Sequence, residues 1–128
     1  MGMKSASPTP AIGLVNGSYA DGKAVVTNGN TIEFNNPTQY GRIEFPLTDS
    51  INVSASVGVM PSDVLGTARF YAVIDGADVQ IGGNSHPAEE WSEVSTSGTM
   101  TAFVITPRTA TYSGTMTISI KVDGEVIF

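Results

Sequence analysis

Between residues 51 and 59 the odd positions Ile51, Val53, Ala55, Val57 and Val59 are all apolar, whereas Asn52, Ser54 and Ser56 are polar. The same two-residue period runs through 115–122, where Met116, Ile118, Ile120 and Val122 alternate with Thr115, Thr117, Ser119 and Lys121. It recurs at 42–45, where Ile43 and Phe45 alternate with Arg42 and Glu44. Successive side chains of a strand point to opposite faces, so these stretches are expected to be strands with one face buried and one solvated. Residues 99–106 are apolar in both phases, Met100, Ala102 and Val104 against Phe103 and Ile105. That pattern predicts a central strand, or one whose outer face is covered. Only 61–65 and 87–91 have the makings of a helical turn.

Three dipeptides set the turns. Asn28-Gly29 separates 23–27 from 30–35, Asp75-Gly76 separates 68–74 from 77–81, and Asp123-Gly124 separates 116–122 from 125–128. Asn-Gly and Asp-Gly tolerate the positive φ angles of a type I′ turn, the tightest hairpin connection. In the middle hairpin a two-residue loop pairs Ile74 with Ala77, Ala72 with Val79 and Phe70 with Ile81 on one face. The other face then holds Val73 with Asp78 and Tyr71 with Gln80, so this register offers one apolar face and one mixed face. Turn residues recur about every eight to twelve positions, the spacing of a sandwich or barrel of short strands. The fold expected is all-β: an antiparallel β-sandwich of roughly eight to ten strands, a jelly roll or an Ig-like Greek key.

Composition narrows the classes further. The 128 residues fit one domain, placed at 15–128 behind an extended arm at 1–14 that carries Pro8 and Pro10. Twelve acids against six bases give a net charge of −6, and Lys4, Lys23, Arg42, Arg69, Arg108 and Lys121 are scattered singly along the chain. Nucleic acid and anionic membranes are therefore not expected partners. There is no cysteine, which excludes disulfides, thiolate metal sites and a cysteine nucleophile. The N-terminal stretch has no apolar core of a signal peptide, and nothing later has the length to span a bilayer, so cytoplasmic synthesis is expected.

The motifs that touch on reaction chemistry are incomplete. Gly17-Ser18-Tyr19-Ala20-Asp21-Gly22-Lys23 has the spacing of a phosphate-binding loop, but Ala24 stands where a hydroxyl must bind Mg²⁺ and a hairpin follows where a helix is needed. His86 is the single histidine and, in Asn84-Ser85-His86-Pro87, reads as a solvated loop residue. Glu89, Glu90 and Glu93 lie in one stretch, which favours a solvated acidic turn over two carboxyls facing each other across a cleft. Asp21-Gly22 and Asp75-Gly76-Ala77-Asp78 are only fragments of a calcium loop, and tight turns already account for their glycines. No enzyme activity, cofactor or metal site is expected.

Aromatic residues offer the better clue to binding. Phe34, Phe45 and Phe70 fall on inward phases, whereas Tyr40 and Tyr71 fall on outward ones and Trp91 precedes a short Ser-Glu-Val-Ser run. Exposed Tyr and Trp can stack on sugar rings or anchor a protein interface. The apolar end Val126-Ile127-Phe128 and the loop residues Met60, Val64 and Leu65 suggest a homo-oligomer, with a trimer favoured.

Trp91-Ser92-Glu93-Val94-Ser95, followed by strands at 99–106 and 115–122, resembles the closing part of carbohydrate-binding-module jelly rolls. The resemblance covers about a third of the chain and implies a glycan-binding module, for which the aromatics Tyr40, Tyr71 and Trp91 would be the stacking platforms. The abundance of Thr, Ser, Gly and Asn with a proline-bearing arm resembles small bacteriophage structural proteins, namely capsid decoration and head or tail fibre components. On that second resemblance the leading expectation is a non-enzymatic virion accessory protein acting by surface burial in an assembly, and a glycan-binding module is the alternative.

Overall fold

A computed structural model describes residues 12–63, 68–109 and 111–128. Among these are eleven strands: β1 (Gly17–Tyr19), β2 (Ala24–Thr27), β3 (Thr31–Asn35), β4 (Ile43–Val53), β5 (Ser56–Pro61), β6 (Ala68–Ile74), β7 (Ala77–Ile81), β8 (Ser92–Ser95), β9 (Gly98–Pro107), β10 (Ser113–Val122) and β11 (Glu125–Val126). No helix occurs among the described residues, so neither 61–63 nor 87–91 takes the helical turn open to it on sequence.

The strands form two antiparallel sheets stacked face to face. One runs β1-β2-β3-β10-β5-β8, with β11 beside β10, and the other runs β4-β9-β6-β7. Four of the pairings nest: β6 with β7, β5 with β8, β4 with β9 and β3 with β10. The chain from β3 to β10 is thus one long hairpin rolled onto itself, which makes the sandwich a jelly roll and sets the Ig-like alternative aside. Between the sheets lie the inward phases of the strands, with Phe45, Phe70, Phe103, Ile32, Met100, Met116, Ile118 and Ile120 fully buried.

The middle hairpin has the register expected from its turn, Ile74 with Ala77, Ala72 with Val79 and Phe70 with Ile81. Asp75 (φ 50°) and Gly76 (φ 82°) form its tip, and Asp123 (φ 52°) and Gly124 (φ 82°) join β10 to β11 in the same way. The Asn28-Gly29 loop is one residue longer, because Thr27 pairs with Thr31. Asn30 is drawn out of the hairpin there, its carbonyl accepting a bond from Ile118 N–H at 2.8 Å.

Two other expectations are corrected. The alternating run 51–59 is not one strand: β4 ends at Val53 in one sheet and β5 begins at Ser56 in the other, leaving Ala55 exposed between them. A chain that steps between layers about 10 Å apart must leave both ladders for a residue or two. The second correction concerns β9, where Ile74 pairs with Met100 but Val73 pairs with Ala102. Thr101 bulges out, so Met100 points inward with Phe103 and Ile105, and only Ala102 and Val104 remain on the outer face.

The described part of the expected arm, residues 12–14, already belongs to the sandwich. Leu14 is buried and bridges Leu47, Thr48 N–H donates to Gly13 O at 2.8 Å and Val15 N–H donates to Pro46 O at 2.8 Å. This segment covers the edge of β4, and Pro46, which has no N–H to offer a ladder, sits on that edge as the chemistry requires. The apolar residues that pointed to a homo-oligomer divide: Phe128 packs on the core of its own chain, Ile120 N–H donates to Phe128 O at 2.9 Å, and Val64 and Leu65 lie outside the described residues.

Candidate functional site

On the outer face of the four-stranded sheet, cross-strand pairing lines side chains into rows. Glu44, Val104, Tyr71 and Gln80 form one row across β4, β9, β6 and β7, and Pro46, Ala102, Val73 and Asp78 form the next. Thr106 pairs with Arg69, and Arg42, one residue before β4, stands at the head of the same row. The centre of this face is apolar and shut from water: Val104, Ala102 and Val73 are buried, and Tyr71 packs against them half-exposed. This explains why 99–106 is apolar in both phases.

Arg42 helps to close that centre. Its Nε and Nη2 donate to the two carboxylate oxygens of Asp78 at 2.9 and 2.7 Å, and its Nη1 lies 2.8 Å from Glu44 Oε1. Arg42 heads one edge strand and Asp78 sits on the other, three strand spacings away, or ~14 Å in a flat sheet. The bond closes because the two side chains reach toward each other over the outer face of the sheet. Hydrogen bonding to Arg42 holds the Asp78 carboxyl below its ordinary range, and Asp78 and then Glu44 raise the guanidinium's own affinity for its proton.

Further along, the face ends in polar groups that are planar and fixed. Arg69 Nε donates to Asn84 Oδ1 at 2.7 Å, and Gln80 Nε2 donates to Gly83 O at 3.2 Å. Tyr40 stands beside the end of β9, its N–H donating to Pro107 O at 2.6 Å and its ring lying 5.8 Å from the Arg108 guanidinium. Tyr40 has a φ of 62° and is 64% exposed. A bulky residue in left-handed backbone is strained by about 1–2 kcal/mol, and here that strain presents an aromatic ring to solvent.

Trp91 and Met60 belong to the opposite side of the molecule. Lys121, Gly58 and Glu93 form a row on the outside of the larger sheet, and Lys121 Nζ lies 4.2 Å above the Trp91 ring and 3.5 Å from Glu93 Oε2. Met60, half-buried, pairs with Ser119 of β10 on the same sheet. The structure therefore separates the three expected aromatic platforms, Tyr40 and Tyr71 on one sheet and Trp91 on the other.

The reaction-chemistry candidates take clear places. Glu89 and Glu90 are exposed on a turn and Glu93 is exposed on β8. The Gly17–Lys23 stretch is a hairpin, with Tyr19 paired to Ala24 across the loop. The Asp75 and Asp123 carboxylates accept backbone N–H bonds, from Thr99 at 3.0 Å and from Ala55 at 2.6 Å with Ser54 and Ser56 beside it, an arrangement suited to an anion and not to calcium. His86 is the correction here: it is not solvated but 4% exposed, stacked on Phe70 with centroids 4.4 Å apart and joined through Nδ1 to Ser92 Oγ at 3.0 Å. The loop from β7 to β8 crosses from one sheet to the other, and the imidazole plugs the gap.

Alternation read Tyr40 and Tyr71 as outward-facing, where the structure has them, and singled out none of Arg42, Arg69, Arg108 and Asp78 as binding candidates. The single spacing of the arginines along the chain hid that all three lie at this face. Their outward phase beside apolar Val73 and Val104 was the available signal.

Neither a family model nor a curated protein matches this chain. Among solved structures, a low-affinity xylan-binding module, CBM86, of the gut symbiont Roseburia intestinalis matches with a TM-score of 0.55. The match covers 88% of this chain and 90% of that one at 14% sequence identity, a likeness of fold.

Proposed function

We propose that this protein is a non-catalytic carbohydrate-binding module that lays a polysaccharide chain across the outer face of its four-stranded sheet. The observation that carries the reading is the buried apolar floor under Tyr71, framed by the Arg42–Asp78 pair and Gln80. A sugar ring has an apolar face of C–H groups and a rim of hydroxyls. Tyr71 and Tyr40 supply flat apolar surface for the former, while the Asp78, Glu44 and Gln80 side chains accept or donate bonds at the rim. The jelly-roll fold shared with a xylan-binding module supports the same reading and makes xylan the first ligand to try. The virion accessory role draws on composition, a proline-bearing arm and apolar residues read as subunit contacts, and no feature of this face favours it.

Affinity electrophoresis against soluble xylan, mixed-linkage glucan and mannan tests the proposal. At least one polymer should retard the wild-type protein, and Tyr71→Ala should weaken that binding about tenfold. Tyr71→Phe, which keeps the ring, should retain most of it. Loss of binding in Trp91→Ala with none in Tyr71→Ala would move the site to the other sheet and overturn the assignment.

A further inference from the structure

All three arginines of a chain with net charge −6 gather at this face. Arg42 is engaged by two carboxylates, Asp78 and Glu44. Arg69 and Arg108 are not: among the described residues the ion pairs involve only Arg42 and Lys121, and the residues outside that set include no Asp or Glu. Arg69 pairs across the ladder with Thr106, and Arg108 follows Thr106 by two residues, so the two arginines start within about 8 Å of each other. Arg69 is steered by Asn84 through Nε alone, which leaves its two terminal nitrogens as donors. Arg108 rests near the ring of Tyr40, the most exposed aromatic of the face.

We infer that Arg69 and Arg108 receive the carboxylate of an acidic sugar, a uronate carried by the polysaccharide that crosses Tyr71. The inference rests on the carbohydrate reading above and names the ligand class within it. Guanidinium groups match carboxylates through parallel N–H donors, a geometry this face already displays where Arg42 grips both oxygens of Asp78. The stacking on Tyr40 keeps Arg108 at the lip of the sheet, where a side group of a bound chain projects. With the acids of this face committed to Arg42, an added carboxylate meets attraction there despite the negative charge of the whole molecule.

The test uses one uronate-substituted xylan and the same polymer after chemical reduction of its carboxyl groups to alcohols. Wild-type protein should bind the native polymer about fivefold more tightly than the reduced one, a preference that shrinks as salt is raised. The ratio should fall toward one in Arg69→Gln/Arg108→Gln, whose fold circular dichroism checks, and should persist in Lys23→Gln, a charge change on the distant β1–β2 hairpin. Equal wild-type affinity for the two polymers, or an unchanged ratio in the double variant, overturns the uronate assignment while leaving carbohydrate binding in place. If neither polymer is bound, nor any of the neutral glucan and mannan, the carbohydrate reading falls and this assignment falls with it.

Discussion

His86 fills the space between Phe70 of one sheet and Ser92 of the other, and its Nε2 has no hydrogen-bond partner of good geometry among the described residues. Burial pushes its pKa below the ordinary 6.5, with a partial offset from the Gly83 backbone, so the folded state prefers the neutral ring. The unfolded chain binds that proton more readily. Stability is therefore intact above pH ~6.5 and declines as pH falls through that value toward the lower folded pKa. Urea melts at pH 7.5 and 5.5 should show a lower midpoint at the acidic end. His86→Gln should be less stable at both values and show a smaller difference between them. Asp123 titrates in a separate window: backbone N–H bonds from Ala55, then Ser54 and Ser56, hold its carboxyl below 3.8, so its contribution persists above that value and is lost as pH drops beneath it. A histidine next to proline in a polar loop gives no sign of such burial, because the crossing that buries it is a property of the assembled sheets.

At the scale of elements, two glycines separate backbone strain from steric overlap. Gly76 has a φ of 82° and open space where a Cβ would stand, so Gly76→Ala should cost only the left-handed backbone penalty, about 1–2 kcal/mol. Gly98, with a φ of 135°, would drive a Cβ into the Asp75 carboxylate and Ile74. Gly98→Ala adds overlap to strain and should cost about 3 kcal/mol or more. Denaturant titration of the two variants checks the order. The β6–β7 hairpin was legible in the sequence because its register depends on a two-residue turn and on the faces of adjacent segments. The bulge at Thr101 was not, since it depends on both neighbours of β9: β6 passes directly from Ala102 to Met100, while β4 leaves the ladder over residues 47–50 at the same place. The two-residue period at 51–59 misled for a related reason. The pattern of facing continues through Ala55 although the sheet to which the residues belong changes there.

For the whole molecule, the nested pairings range from Ile74 with Ala77 at the tip to Asn35 with Ser113 at the root. Local patterning reveals the first and not the second, which is why the sandwich was readable while its jelly-roll winding, and the gathering of Tyr40, Tyr71 and three arginines, were not. The same winding assigns Tyr71 and Trp91 to opposite outer faces with the full core between them. A ligand on the outer face of the four-stranded sheet therefore touches nothing near Trp91, and mutations at the two aromatics should act independently. Binding to the folded state alone raises the melting temperature by mass action. Trp91→Ala removes the ring beneath Lys121 and should lower the melting temperature of the free protein, yet the rise produced by saturating polysaccharide should equal that of wild type. Tyr71→Ala should lose most of that rise at the same polymer concentration. Differential scanning fluorimetry of both variants, with and without polymer, separates these outcomes. A ligand-induced rise that vanishes in Trp91→Ala would mean that the two faces are coupled, or that the glycan lies on the larger sheet.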